Sequence, residues 1–193
     1  AYCIIPVARG AARSMPRDQV VEQVRLLDGR GYREVVLTGI NLGSWGRDVG
    51  EAGLAELLRA LLDHTAVGRI RLSSIEPLEV DDRLLDIIGG AGERVAHHLH
   101  LPLQSGTDSV LRRMRRPYTA AEYLEVAGGI RRRFPEAAIG ADVIVGFPGE
   151  TEEEFCETCR FVESSPLTHL HVFAYSDRPG TAASAMTDKV HPD

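Results

Sequence analysis

Thiols, paired histidines and carboxylates set among glycines are the side chains here whose types and spacing could do chemistry. Cys3 stands alone near the start, and Cys156 and Cys159 form a Cys-x-x-Cys pair. Thiolates bind soft metals and act as nucleophiles where the local field lowers their pKa. The pair falls inside an expected helix rather than at its N-terminus, so packing beside Phe155 and Val162 is the expectation there. His98 and His100 share one strand face, as do His169 and His171, which would permit a two-histidine metal site. No HExxH motif or further ligand cluster accompanies them, so packed or hydrogen-bonded imidazoles are expected.

Small and polar residues gather in five further segments: Thr38-Gly39-Ile40-Asn41, Ser73-Ser74-Ile75-Glu76-Pro77, Leu101 to Gly106, Asp142 to Glu150, and Tyr175 to Thr181. Glycine lets backbone approach a ligand, and the polar groups can hydrogen-bond it. One such segment is an ordinary turn with a helix cap; five at corresponding positions suggest one pocket. Glu76 and Asp142 are the carboxylates with access to it, as an ammonium acceptor and a ribose hydroxyl acceptor respectively. Arg9, Arg13 and Arg178 could meet phosphate or carboxylate through the guanidinium fork.

The elements that must position these residues alternate along the chain. Helical spacing over 16–28 leads to the apolar run Val35-Val36-Leu37, read as a strand buried on both faces. Leu54, Leu57, Leu58, Leu61 and Leu62 predict a helix, followed by a strand at 69–73 and a helix from 81 or 82 to 90. A strand at 95–103 and a short helix at 105–114 come next. Thr119-x-x-Glu122 and Thr151-x-x-Glu154 are capping boxes opening two more helices, with strands at 139–145 and 170–175. Repeated βα units without a linker predict one α/β domain: a partial, open parallel β/α barrel of about six units with the first incomplete. A closed eight-stranded barrel usually needs about 250 residues. Ligands gather at the C-terminal strand ends of either architecture.

Composition sets outer bounds. Hydrophobic residues are 44% and charged ones 26%, which excludes disordered and coiled-coil chains. The net charge of −6 argues against a freestanding nucleic-acid binder. The arginine runs at 112–116 and 131–133 are expected to be solvated faces, with an RNA-facing role as the alternative. No apolar run is long enough to span a membrane, and three cysteines suit a reducing compartment, so cytoplasm is the expectation. The chain lacks an initiator methionine and is expected to be cut from something longer.

At Tyr2-Cys3-Ile4-Ile5-Pro6, followed by Arg9-Gly10 and Arg13-Ser14, the sequence resembles the segment after the CxxxCxxC motif of radical S-adenosylmethionine (SAM) methylthiotransferases. Ala1-Tyr2-Cys3 looks like the end of that motif. Leu37 to Asn41, Leu101 to Gly106, Asp142 to Glu150, Phe173 to Ser176 and Arg178 to Thr181 agree in order and spacing, so the resemblance covers essentially all of residues 1–193. Leu72-Ser73-Ser74-Ile75-Glu76-Pro77 is most similar to the branch that methylthiolates N6-threonylcarbamoyladenosine beside the tRNA anticodon. Isopentenyladenosine tRNA and a ribosomal protein are the substrates of the alternative branches.

The resemblance implies a radical SAM core whose auxiliary-cluster domain and RNA-binding domain lie outside this chain. It implies a [4Fe–4S] cluster, SAM, a second auxiliary [4Fe–4S] cluster, tRNA as partner and an electron donor such as flavodoxin or ferredoxin. One SAM would supply the methyl group and a second the 5′-deoxyadenosyl radical, with sulfur from the auxiliary cluster. Carried over, Cys3 is a cluster ligand, and Tyr2 lies near the adenine. Thr38, Gly39 and Asn41 lie near the methionyl amino group. Ser73, Glu76, Gln104 and Asp142 are candidate SAM or substrate contacts, and Val145 and Gly146 offer backbone to adenine. Arg9, Arg13, Tyr175 and Arg178 are substrate-side candidates.

The other two motif cysteines are expected immediately before Ala1 and four residues further upstream. A cluster-free barrel that binds nucleotide or RNA is the competing reading. An aldolase-type barrel is disfavoured, because the single lysine, Lys189, lies at no strand end.

Overall fold

The computed structural model describes residues 1–190. Its helices form where apolar spacing and caps demand them. After α1 (Ile5–Arg9), α2 (Arg17–Gly29) packs on α3 (Leu54–His64), which buries Leu54, Leu57, Leu58 and Leu61 along one stripe. Helix α4 (Asp82–Gly90) opens with the Asp81 carboxylate accepting from Leu84 N at 2.8 Å. Helices α5 (Asp108–Met114), α6 (Ala120–Arg133) and α7 (Glu152–Ser164) follow, and both expected capping boxes are formed at α6 and α7.

The strands are β1 (Glu34–Leu37), β2 (Arg69–Leu72), β3 (His98–His100), β4 (Ala138–Val145) and β5 (His169–Ala174), all paired in parallel. They form two ladders, β1-β2 and β3-β4-β5. Ala96 N donates to Ile70 O at 2.9 Å and Ile75 N to His100 O at 3.0 Å, so β2 and β3 lie side by side across the break. Five strands thus run in sequence order as an open, partial barrel, as the repeated βα pattern predicted.

Every helix-covered position is apolar: Val35 and Leu37, Ile70 and Leu72, Leu99, and Ile139, Ala141 and Val143. The alternate positions form the inner face. There the expectation of a strand buried on both sides fails for β1, since Val36 is 50% exposed. Register places Val36 opposite Arg71, on the concave wall that no helix covers. The strand expected over 95–103 is also shorter, because Pro102 has no N–H and Gln104 is left-handed (φ 71°).

Candidate functional site

The strand ends are held by contacts that reach back from the helices. After β3, Tyr123 Oη donates to Leu101 O at 2.9 Å, and Tyr118 Oη donates to Pro102 O at 2.7 Å. Burial raises both phenols, which keeps them as donors. Gly106 N donates to Thr158 Oγ1 at 3.1 Å, and a Cβ at Gly106 would stand 2.7 Å from Phe161 Cβ. Only glycine lets this loop lie so close to α7. Gln104, 7% exposed, links to β4 through Gln104 N to Asp142 O (2.7 Å) and Ile144 N to Gln104 O (2.9 Å).

The N-terminal segment docks on the same end. Ala1 N donates to Met114 O at 2.9 Å, and Ala183 N donates to Ala1 O at 3.1 Å. Tyr2 meets Phe147 edge-on at 6.2 Å, and Phe147 meets Tyr175 at 5.5 Å. Burial raises the Tyr2 phenol, against the pull of Arg116. Cys3 is a free, exposed thiol. Tyr2, Tyr175, Val145 and Gly146 are therefore brought to one edge of the barrel. Gly146 turns the chain at φ 71°, and its N–H donates to Glu150 Oε2. Burial raises the Glu150 carboxyl, and the Gly146 N–H partly offsets this.

Glu76 is engaged. Both its oxygens accept from Arg116 Nη1, at 2.8 and 2.9 Å, and that guanidinium also lies over the rings of Tyr2 (6.0 Å) and Tyr118 (5.8 Å). The expected solvated arginine face over 112–116 is thus corrected in part. Arg112 and Arg115 are exposed, whereas Arg116 holds Glu76 and Arg113 pairs with Glu154 through Nη1 at 3.0 Å.

Thr38, Gly39 and Asn41 line an exposed loop after β1. Ser73 Oγ and Tyr175 Oη are buried without a hydrogen-bond partner among the described residues. Sequence reasoning missed Glu79, whose side chain is 12% exposed and meets Arg47 at 3.3 Å, with Oε2 unpartnered. Burial raises its carboxyl despite Arg47. No residue pattern marked it; Gly43, where a Cβ would collide with Glu79, is the trace it leaves in the sequence. Arg9, Arg13 and Arg178 are exposed and form no ion pair among the described residues.

On the inner wall, Asp142 accepts from His100 Nε2 at 3.0 Å and His171 Nδ1 at 3.2 Å. Burial opposes the Asp142 charge, but these two imidazoles prevail and hold its carboxyl below the ordinary range. The expectation that no further ligand joins the paired histidines is corrected by this carboxylate. His98 and His169 stack beside it at 5.7 Å, and burial first, then Arg71, lower His98. The expected core or half-buried packing of the cysteine pair holds for Cys156, which is half-buried, and is corrected for Cys159, which is exposed because α7 turns Thr158 to the core. None of the three thiols belongs to a metal-ligating group among the described residues.

Comparison with known proteins places this geometry. The model of the "Radical SAM superfamily" matches residues 1–162. The chain is 44% identical over 190 residues to "Threonylcarbamoyladenosine tRNA methylthiotransferase MtaB" of Bacillus subtilis, covering 98% of this chain and 42% of that protein. The protein of the same description from Aquifex aeolicus is 46% identical, with 98% and 46% covered. A "tRNA-2-methylthio-N(6)-dimethylallyladenosine synthase" of Acetivibrio thermocellus is 39% identical, with 98% and 39% covered. The chain spans less than half the length of these relatives. Among solved structures, coproporphyrinogen III oxidase from Escherichia coli superposes with a TM-score of 0.67 at 19% identity, over 91% of this chain and 42% of that one. Methylornithine synthase superposes at 0.61 and 17%, over 97% and 52%.

Proposed function

Because this chain belongs to the radical SAM superfamily, we propose that it is the radical SAM core of a larger tRNA methylthiotransferase acting on N6-threonylcarbamoyladenosine. The observation that carries this reading is the 44% and 46% identity, over 98% of the chain, to two enzymes described by that activity. The dimethylallyladenosine synthase reaches 39% over the same span, which makes that substrate the second reading. The remaining domains, tRNA contacts and a flavodoxin- or ferredoxin-type donor would be supplied from outside these residues. Among the described residues no helix is long and apolar enough to cross a membrane.

The residues present suit the cofactors of such a core. Cys3 offers one exposed thiol to a [4Fe–4S] cluster, and the resemblance to a CxxxCxxC motif implies that two further cysteines would complete its ligands. With SAM bound, the cluster supplies one-electron cleavage of the sulfonium and thereby hydrogen abstraction from substrate. Around it, Thr38, Gly39 and Asn41 would hold the methionyl end, and the unpartnered Ser73 Oγ a further polar group. Gln104 is buried against the end of β4, and Val145 and Gly146 present backbone at the turn after β4. Tyr2, Phe147 and Tyr175 form an apolar wall that excludes water from this edge, and Tyr175 Oη, Arg178, Arg9 and Arg13 face the substrate side. Glu76 and Asp142 are less available to SAM than the others, because Arg116 and two imidazoles already hold their carboxylates.

Two measurements test the reading. Anaerobic reconstitution of these 193 residues with iron and sulfide is expected to give far less than one stable cluster per chain, and addition of the two upstream cysteines to restore it; a stoichiometric cluster without them refutes the ligand assignment. The full-length reconstituted enzyme, given tRNA carrying each nucleoside, is expected to methylthiolate threonylcarbamoyladenosine. Product on dimethylallyladenosine alone, by nucleoside mass spectrometry, establishes the second reading instead.

A further inference from the structure

We propose that His100, Asp142 and His171 form a binding site for one divalent transition cation of the zinc class on the inner wall of the open barrel. Three adjacent strands supply it. Parallel register sets His100 opposite Gly140 and Asp142 opposite His171, so all three side chains leave the sheet on its concave face. His100 Nε2 and His171 Nδ1 both aim at Asp142 Oδ1, at 3.0 and 3.2 Å, and the three ligand atoms lie within 4.8 Å of one another. A tetrahedral ion about 2.0–2.2 Å from nitrogen and oxygen ligands sets neighbouring donors about 3.3 Å apart. Two of the three donor separations, 3.0 and 3.2 Å, already match that spacing, and the third lies within 4.8 Å.

The rings are held in place before any ion arrives. A Cβ at Gly140 would lie 2.8 Å from His100 Nδ1 and would collide with His169, so glycine there lets both imidazoles lie against the strand. His171 stacks on His100 at 5.2 Å. This fixes Nε2 of His100 toward Asp142 and leaves its Nδ1 edge over Gly140. Two imidazole nitrogens and one carboxylate suit zinc, cobalt, nickel or ferrous ions, and not magnesium or calcium, which take all-oxygen shells. Three protein ligands leave a fourth position, and the 58% exposure of the His171 side chain directs it into the barrel interior, where water or an oxygen of the bound substrate would fill it. None of the ligands is a thiol, so the site shares no ligand with a cluster on Cys3, and its occupancy is testable without the proposed reaction.

The alternative is an ion-free network in which Asp142 Oδ1 accepts from both imidazoles. Cobalt titration of the untagged 193-residue chain carrying C3S, C156S and C159S separates the two, since no thiol remains to bind metal. One equivalent of Co2+ is expected, with visible ligand-field bands and no sulfur-to-cobalt charge transfer, and Zn2+ should displace it. H171A and D142N should each weaken binding by at least about tenfold, as loss of a ligand demands. H64A, at the exposed end of α3, should leave it unchanged. Circular dichroism checks that each variant is folded; His171 is exposed enough that its loss spares the core. No saturable binding, or binding that persists in either ligand variant, overturns the assignment.

Discussion

Arg116→Met removes the cation that neutralises Glu76 and keeps most of the aliphatic volume. Both Glu76 oxygens accept from Arg116, and the side chains are 15% and 29% exposed, so the pair is largely but not wholly desolvated. Removing one partner of a fully buried pair costs about 3–5 kcal/mol. Residual solvation of Glu76 brings this nearer 2 kcal/mol, the scale of hydrogen bonds to a charged group. Loss of the guanidinium from the faces of Tyr2 and Tyr118 adds about 1 kcal/mol. About 3 kcal/mol in a chain of this size lowers the melting temperature by about 6–12 °C. Calorimetry of the wild type, R116M, E76Q and the double variant reads both the loss and the coupling, expected above about 1.5 kcal/mol. A shift within about 2 °C, or coupling below about 0.5 kcal/mol, would show that Glu76 is solvated and free to meet a ligand. The reasoning that assigns it to the scaffold would then be wrong.

Two further outcomes follow from local geometry. Gly106→Ala forces a Cβ to 2.7 Å from Phe161 Cβ and 2.9 Å from Thr158 Cα, and the overpacking should cost about 1–3 kcal/mol by urea denaturation; an unchanged midpoint would mean that the loop is free of α7. The Arg113 guanidinium, with Ser109, holds the Glu154 carboxyl down to about 2, against an ordinary value of 4.5. A group whose folded pKa is depressed stabilises fully above its unfolded value, and that share is lost as pH falls through the folded one. The melting-temperature gap between wild type and E154Q should therefore be full at neutral pH and close between about pH 4.5 and 2; a gap that persists at pH 2 contradicts the pairing.

Which parts were legible in the sequence depends on how local their causes are. The capping boxes were, because Thr119 Oγ1 and Glu122 N, at 3.2 Å, are three residues apart and need nothing else. The leucine stripe of α3 was, because one helix face carries it. Arg116 was not. Helix α5 stops at Met114, Arg115 turns left-handed at φ 60°, and this sends Arg116 back under the strand ends, away from its exposed neighbours. The inner-wall carboxylate was hidden for another reason. Asp142 meets His100 and His171 only through the stagger of three strands, a non-local register that spacing within each strand leaves undetermined.

That register also separates what folds the domain from what acts. Leu58, Leu61, Ile70 and Ile139 are fully buried beneath the helices, so the hydrophobic driving force lies almost wholly on the outer face. The inner face contributes little to it: Val36 is 50% exposed, Phe173 52%, and Arg71 donates to Glu34 at 2.7 Å in a half-exposed pair. Exposed apolar and charged groups on a concave wall are worth little to stability, and surface ion pairs there about 0–1 kcal/mol. The inner side chains of β3, β4 and β5 include four imidazoles and a carboxylate beside Ile144 and Phe173, so a wall on which folding leans little is free to carry ligands. Substitutions on this face should therefore separate binding from stability cleanly, whereas the same changes on the outer face would unfold the chain before any ligand could report.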